Sequence, residues 1–132
     1  VSNKEPVLNI SMLKTIKAML TVLLIVSSSA AIPVFANEQQ GQIAWQKING
    51  NATLIDVRTA EEFTAGHIEG AINIPYEHIV AELAKLNIAK DTEVVLYCRS
   101  GRRSGIAQNA LIEQGYTATF NAGGLDTLMS TR

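Results

Sequence analysis

An unbroken apolar run over residues 94–97 is the most distinct feature of the hydrophobic pattern, and it leads directly into Cys98. A short run of β-branched and apolar residues between polar flanks predicts a buried strand. After a polar, basic segment, apolar residues recur at the spacing of one helical face: Ile106, Ala107, Ala110 and Leu111. Gly115 is suited to end that helix. These patterns predict a strand, a tight loop and a helix, with Cys98 at the carboxyl end of the strand, where open α/β sheets bind ligands.

From residue 43 onward the pattern alternates predicted helices with predicted strands. Thr59 and Glu62 form a capping-box pattern, so a helix is expected to begin at Ala60 and to end at Gly66. The other predicted elements are helices over residues 43–48, 77–86 and 125–129, strands over residues 53–57, 71–74 and 117–120, and a turn over residues 122–124. This alternation predicts an α/β fold in which a central, mainly parallel sheet has helices on both faces. Right-handed crossovers place the strand-to-helix loops, including the loop after Cys98, on one edge of that sheet.

The chemistry of the Cys98 segment depends on what would stabilise a thiolate, because the thiolate and not the thiol is the nucleophile. Unpaired N–H groups at the start of the following helix would stabilise it. A tight loop that contains Gly101 and Gly105 can turn further amides inward. Three arginines offer permanently charged groups to an oxyanion: Arg99, Arg102 and Arg103. We therefore predict a lowered pKa for Cys98 and a pocket for a small anion; the alternative is a buried structural cysteine beside a solvated basic turn.

Composition narrows the functional classes. The chain has 132 residues, a formal net charge of −1 and 47% hydrophobic residues, which suits one globular domain. Basic residues cluster in one loop instead of covering a face, so nucleic-acid binding is not expected. The single cysteine excludes an internal disulfide and a cysteine-rich metal site, and the two histidines do not have the spacing of metal ligands. We expect His67 to make a structural hydrogen bond and His78 to lie on the surface.

The N-terminal region has the features of a secretory signal peptide over residues 12–36. Lys14 and Lys17 form its positive part, residues 18–26 form a short apolar core, and cleavage is predicted after Ala36. An uncleaved membrane anchor is the alternative, although the apolar core is short for a membrane span.

Cleavage at that position divides the chain into a leader and a mature domain. Residues 1–11 are expected to be an upstream extension ahead of the real start at Met12, and residues 37–132 are expected to be the domain. The leader removes three of the 11 basic and one of the 12 acidic residues, so the domain carries eight basic and eleven acidic residues. With a formal net charge of −3, the domain is acidic apart from the Cys98 loop, which is expected to steer small anions to one place. We expect an exported protein, most simply a periplasmic one, without membrane attachment after cleavage.

Five segments of the chain resemble the motifs of single-domain rhodaneses, in particular the exported, phage-shock-protein-E type: residues 54–58, 62–63, 66–75, 97–104 and 121–124. The resemblance covers residues 40–130 and implies a three-layer α/β domain with a central parallel sheet. It implies transfer of a sulfane sulfur from thiosulfate to cyanide or another thiophilic acceptor such as a thiol. By resemblance, Cys98 carries the sulfur as a persulfide, and no metal or organic cofactor is needed. The sequence does not fix the oligomeric state, and a small monomer is the default expectation. The residues that the resemblance assigns to substrate binding are Arg99, Ser100, Gly101, Arg102, Arg103 and Ser104.

Two other functions stay open at this point. Cysteine-dependent phosphatases and arsenate reductases also place a thiolate in an anion-binding loop before a helix. Their pattern is His-Cys, five residues and Arg, whereas here Tyr97 precedes Cys98 and Ser104 is the sixth residue after it. A domain of this kind could also hold a persulfide for delivery to a protein, or bind an anion, without efficient turnover.

Residues near the predicted active edge also have structural interpretations. Asp56 and Arg58 are expected to fix the turn between the first strand and its helix, with Arg58 pairing with Glu62 at i+4. Gly123 and Gly124 are expected to permit an unusual backbone turn before the last helix.

Overall fold

The computed structural model describes residues 33–132. The predicted upstream extension, residues 1–11, and most of the predicted signal peptide, residues 12–36, lie outside the described residues. The described elements are, in chain order, α1 (Pro33–Asn49), β1 (Thr53–Asp56), α2 (Ala60–Ala65), β2 (Ile72–Asn73), a 3₁₀ helix (Tyr76–His78), α3 (Ile79–Lys85), β3 (Val94–Cys98), α4 (Arg102–Glu113), β4 (Thr119–Gly124) and α5 (Leu125–Ser130). Strands and helices alternate, as the sequence pattern predicts.

The sheet is parallel, with the strand order β2–β1–β3–β4. All five residues of β3 are fully buried, which explains why this strand reads as a continuous apolar run. β3 pairs with β1 from Val94 opposite Thr53 to Tyr97 opposite Asp56. Because parallel strands end at a common edge, Cys98 lies beside the carboxyl ends of both β1 and β4.

Helices cover both faces of the sheet, so the predicted three-layer α/β architecture is confirmed. Alternate side chains of β3 point to opposite faces, as the two-residue period of a strand requires. One core lies between β3 and helices α3 and α4, and its members include Leu83, Leu96, Cys98 and Leu111. The other core lies between β3 and helices α1 and α5, and its members include Trp45, Val95, Tyr97 and Leu128. Cys98 therefore points toward the face that α4 covers.

The start of α4 differs from the prediction. The helix begins at Arg102, so two of the three arginines belong to its first turn and the connection from β3 is only residues 99–101. Gly105 lies inside the helix and is not part of the turn, contrary to the expectation that it would help to form an amide nest. Of the apolar residues on the predicted helical face, Ala107 and Leu111 are buried, whereas Ile106 is 42% exposed.

The predicted turn over residues 122–124 was wrong, because β4 continues through Gly124. Gly123 has a φ of 86°, but this left-handed residue distorts the strand without ending it. The register between β3 and β4 shifts after Leu96, and Cys98 is then paired with Gly124. A side chain at Gly124 would overlap the carbonyl oxygen of Arg99, so glycine is what allows β4 to approach the loop.

Helix α1 is longer than the predicted helix over residues 43–48. It begins at Pro33 and passes through the predicted cleavage position after Ala36. Trp45 is buried, as expected for a packing residue, and its indole Nε1–H donates to the carbonyl oxygen of Leu128 at 2.8 Å. None of the helices within residues 33–132 combines the length and the apolar character that crossing a membrane requires.

Candidate active site

Cys98 ends β3 with its side chain inside a short cradle of backbone and hydroxyl donors. The backbone N–H of Gly101 donates to Cys98 Sγ at 3.0 Å, and the Ser104 hydroxyl lies 3.4 Å from the same sulfur. Gly101 adopts a left-handed conformation, with φ 91° and ψ −12°, and it is the N-cap of α4. That conformation reverses the chain tightly enough to bring its own N–H back to the sulfur three residues earlier.

These donors lower the pKa of the Cys98 thiol. Burial of the side chain acts in the opposite direction and raises this pKa, because a charged sulfur is disfavoured away from water. The Ser104 hydroxyl and the backbone N–H groups of Ser104, Ser100 and Gly101 favour the thiolate. Their combined effect is larger than that of burial, so the pKa of Cys98 lies below its ordinary value, in the direction that the sequence predicts.

The side chain of Asn121, on β4, stabilises the turn at Gly101 through hydrogen bonds. Its Nδ2–H donates to the carbonyl oxygen of Gly101 at 3.0 Å, and its Oδ1 accepts from the Ser104 hydroxyl at 2.7 Å. The same Oδ1 accepts from the backbone N–H of Gly123 at 2.9 Å. One carboxamide therefore connects the two left-handed glycines of the site, Gly101 and Gly123, with the hydroxyl that faces Cys98.

The end of β1 is held by a buried ion pair between Asp56 and Arg58. Asp56 Oδ1 accepts from the backbone N–H and from Nε of Arg58, and its Oδ2 accepts from Arg58 Nη2 at 2.6 Å. Arg58 Nη2 also donates to the carbonyl oxygen of Gly66, at the end of α2. The two side chains thus fix the turn from strand to helix as expected, but the expected pairing of Arg58 with Glu62 is wrong.

Glu62 pairs instead with Arg103 of the active-site segment. The two side chains meet in a bidentate arrangement, with Arg103 Nη1 donating to Glu62 Oε2 and Arg103 Nη2 donating to Glu62 Oε1, each at 2.8 Å. The predicted capping box is present, because the Thr59 hydroxyl accepts from the Glu62 N–H and the Glu62 carboxylate accepts from the Thr59 N–H. Within residues 33–132, Arg99 and Arg102 take part in no ion pair and are exposed.

Two open pockets border the loop, and Arg99 lines both of them. The first has a volume of about 310 Å³ and is lined mainly by uncharged polar groups, among them Gln40, Ser100, Asn121 and Thr127. The second, of about 270 Å³, is lined by Arg58, Glu62, Ala65, Arg99, Leu125 and Asp126. Cys98 itself is fully buried beneath the loop that separates these pockets.

Comparison with known proteins identifies the family of this fold and cysteine loop. Residues 40–130 match the family model described as Rhodanese-like domain. The chain belongs to the rhodanese-like family. It is 40% identical over 95 residues to thiosulfate sulfurtransferase PspE of Escherichia coli strain K12, an alignment that covers 72% of this chain and 78% of that relative.

Two solved rhodanese-family structures are similar in fold. One is described as a rhodanese with anions from E. coli; it is 42% identical, covers 58% of this chain and 89% of its own, and has a TM-score of 0.55. The other is the human single-domain sulfurtransferase TSTD1, which is 29% identical, covers 69% of this chain and 92% of its own, and has a TM-score of 0.57.

Within this rhodanese-like domain, only some of the site residues predicted from the sequence contact the Cys98 sulfur. Cys98, Gly101 and Ser104 are in mutual contact, and the N–H of Ser100 acts on the sulfur. Arg99, in the loop, and Arg102, in the first turn of α4, are exposed, whereas Arg103 is paired with Glu62. Asn121 and Glu62 were not singled out as site residues, since their partners in the active-site segment, Gly101, Ser104 and Arg103, lie 17 to 41 residues away in sequence. His67 is structural, as expected: its Nδ1 is 2.9 Å from the carbonyl oxygen of Phe63.

Proposed function

We propose that the protein is a sulfurtransferase that accepts the outer, sulfane sulfur of thiosulfate onto Cys98 and passes it to a thiophilic acceptor. The observation that carries this proposal is the cradle of N–H groups around the Cys98 sulfur, which favours a negative charge on it without a metal or a titrating base. Membership of the rhodanese-like family supports the same reaction class, and the E. coli relative is named for thiosulfate as donor.

In the first half-reaction the Cys98 thiolate attacks the outer sulfur of thiosulfate. A new sulfur–sulfur bond forms at Cys98, the sulfur–sulfur bond of the donor breaks, and sulfite leaves with its electron pair. The lowered pKa of Cys98 increases the thiolate fraction available for this attack. The N–H of Gly101 and the Ser104 hydroxyl, which contact Cys98 Sγ in the structure, would supply hydrogen bonds to the charged persulfide.

The donor's sulfonate oxygens are assigned to Arg99 and Arg102, since these two guanidinium groups are exposed and take part in no ion pair with a described residue. Arg103 was expected to bind the sulfonate as well, but its guanidinium already forms a bidentate ion pair with the Glu62 carboxylate. In the second half-reaction an acceptor such as cyanide or a thiolate attacks the terminal sulfur, and the Cys98 thiolate is regenerated.

A persulfide carrier without efficient turnover is the second candidate. The observation that favours it is the complete burial of Cys98, because a small donor can reach such a sulfur more easily than a bulky acceptor can. Fast loading of one sulfur atom followed by slow release to small thiols would identify a carrier.

Export of the protein is proposed from the sequence of its leader. If cleavage follows Ala36, α1 loses its first four residues but keeps Trp45 and its bond to Leu128. The first residue of the mature chain would then be Asn37, which lines the larger pocket beside Arg99. N-terminal sequencing of the protein recovered from a periplasmic extract tests both the cleavage and the location.

The sulfur-transfer proposal is tested with the reduced protein and its Cys98→Ser variant. Each is incubated with thiosulfate, and the intact mass is recorded before and after addition of cyanide, with thiocyanate assayed in parallel. The wild-type protein should gain one sulfur atom and lose it as thiocyanate forms, and the variant should do neither. If the reduced wild type gains no sulfur, the proposal is wrong, and hydrolysis of a phosphate ester would be tested next.

A further inference from the structure

Glu62 is a charged residue beside the reaction site that the sulfur-transfer chemistry does not use. Its carboxylate accepts hydrogen bonds from both terminal nitrogens of the Arg103 guanidinium, each at 2.8 Å, and from the backbone N–H of Thr59 at 3.0 Å. The side chain therefore joins the first turn of α2 to the first turn of α4. It also lines the pocket of about 270 Å³ next to Arg99, so its charge faces the space that a donor would approach.

The charges around this pocket balance. Of its lining residues, Arg58 and Arg99 are positive, whereas Glu62 and Asp126 are negative. Arg58 is moreover neutralised by the buried carboxylate of Asp56, and Arg103 is neutralised by Glu62. Among the described residues, the strongly basic anion site that three clustered arginines suggest in the sequence is thus reduced to two guanidinium groups without an ion-pair partner, those of Arg99 and Arg102.

Arg103 would contribute to anion binding if Glu62 did not hold it. The hydrogen bonds that Arg103 donates to Glu62 are the largest reason why the pKa of Arg103 is raised, and the charge of Cys98 acts in the same direction. The Arg103 guanidinium therefore lies within electrostatic range of the reactive sulfur. A third uncompensated cation there would attract a dianionic donor, but it would equally retain the anionic product, sulfite, which must leave before an acceptor enters.

We propose that Glu62 is a specificity-determining residue that withdraws Arg103 from the anion site and so weakens the retention of dianions relative to monoanions. Its role in turnover rests on the proposed sulfurtransferase function. Its effect on anion binding does not, and the two can be tested separately.

The chain offers a closely matched set of variants. Glu62→Gln removes the charge, while glutamine remains compatible with the third position of a capping box, so α2 keeps its N-terminal cap. Glu61→Gln makes the same change in net charge at an exposed neighbour on the same helix turn. Glu62→Asp keeps the charge but shortens the side chain, and it therefore separates an effect of charge from an effect of packing.

The first experiment measures how unreactive anions protect Cys98 from alkylation by the uncharged reagent iodoacetamide. Sulfate serves as the dianion and methanesulfonate as the monoanion of similar shape. Because the interaction energy with the removed charge doubles with ligand charge, Glu62→Gln should tighten methanesulfonate binding about threefold and sulfate binding about tenfold. Both effects should shrink as an inert salt such as potassium chloride is added. Glu61→Gln and Glu62→Asp should each change both dissociation constants by less than about twofold.

Three results would overturn the proposal. The first is an equal shift for the two anions in Glu62→Gln, and the second is a tenfold shift in either control variant. The third is the absence of any protection by sulfate in Glu62→Gln, which would mean that freeing Arg103 creates no anion site. Since no sulfur transfer takes place in this assay, a wild type that fails to load sulfur from thiosulfate refutes the proposed function and leaves this test intact.

The second experiment applies to a wild type that turns over. At a pH well above neutrality, where sulfite is a dianion like thiosulfate, the KM for thiosulfate and the inhibition constant of sulfite should both fall by about tenfold in Glu62→Gln. Parallel changes in these two constants identify weaker anion retention as the effect of Glu62. A fall in kcat/KM without tighter sulfite binding would contradict it.

Discussion

Replacing Ser104 by alanine should raise the pKa of Cys98, and the structure allows the size of this effect to be worked out. The Ser104 hydroxyl is 3.4 Å from Cys98 Sγ and is a main cause that opposes burial in setting this pKa. A hydrogen bond to a charged acceptor contributes about 1.5 to 3 kcal/mol. We take the lower end, about 1.5 kcal/mol, because the same hydroxyl also has Asn121 Oδ1 at 2.7 Å and the carbonyl oxygen of Gly101 at 3.1 Å as acceptors. That free energy corresponds to a rise of about one pKa unit.

The assay is the rate of alkylation of Cys98 by iodoacetamide as a function of pH. Only the thiolate reacts, so the alkylation rate falls as the pH drops through the pKa that the Cys98 thiol has in the folded protein. The wild-type midpoint should lie below that of a free cysteine, about 8.5, and the Ser104→Ala midpoint should lie about one unit above the wild-type one. The midpoint and not the plateau rate is the quantity to compare, since a thiolate of higher pKa is also intrinsically more nucleophilic.

Ser100→Ala is the matched control, because it removes a hydroxyl from the same loop but leaves the backbone N–H that acts on the sulfur. Its midpoint should equal that of the wild type. An unchanged or lower midpoint in Ser104→Ala would refute the reasoning, and it would mean that the backbone N–H groups alone set the thiolate charge. A rise of equal size in both variants would point to a loosened loop instead of a lost hydroxyl.

Three further predictions concern stability. The hydrogen bond from Arg103 lowers the pKa of Glu62 to about 2, below its unfolded value. The ion pair therefore stabilises the folded protein above about pH 4.5, and this stabilisation is lost as the pH falls toward 2. Urea unfolding of Glu62→Gln should show a free energy of unfolding about 1 kcal/mol lower than that of the wild type at pH 7 and little difference at pH 2. Asn121→Ala removes three hydrogen bonds and should lower the free energy of unfolding by about 2 kcal/mol, whereas Asn109→Ala, on an exposed face of α4, should leave it nearly unchanged. Gly124→Ala should lower the melting temperature by several degrees, because its methyl group would overlap a loop carbonyl oxygen; an unchanged melting temperature would show that the loop can move aside.

Elements with a local cause were predictable from the sequence. The apolar run of β3 reflects a strand that is buried on both faces, and its end at Cys98 was placed correctly. Thr59 and Glu62 gave the start of α2, since a capping box is formed by residues only three positions apart. Gly115, with a φ of 88°, follows the end of α4 as expected.

The partners of the charged residues were not predictable in this way. The expected pair of Arg58 and Glu62 requires both residues to lie on one helix, because i and i+4 share a face only there. α2 begins at Ala60, however, so Arg58 precedes the helix and turns back to Asp56. Arg103 is the partner that Glu62 actually has, and only the packing of α2 beside α4 brings these two residues together.

The glycines near the end of β4 show a different kind of ambiguity. Two adjacent glycines are a common turn signal, and the sequence alone favoured a turn. In the fold the two glycines meet different needs: Gly124 pairs with Cys98, where an added side chain would overlap the carbonyl oxygen of Arg99, whereas Gly123 adopts a left-handed φ of 86°. A glycine required for conformation and a glycine required for space look identical in a sequence.

Backbone amides and arginines have different roles in this site, because their interactions act over different distances. In the proposed cycle a sulfur anion occurs at Cys98 in both the thiolate and the persulfide, so a stabilising group must act on that sulfur throughout. Backbone N–H groups act over hydrogen-bond distances and keep their partial charge at any pH, which suits them to this task. Guanidinium charges act over a longer range and attract the donor and the departing sulfite alike. A site that stabilises its sulfur with amides and cancels one of its arginines with Glu62 can therefore keep the nucleophile charged without holding on to its product.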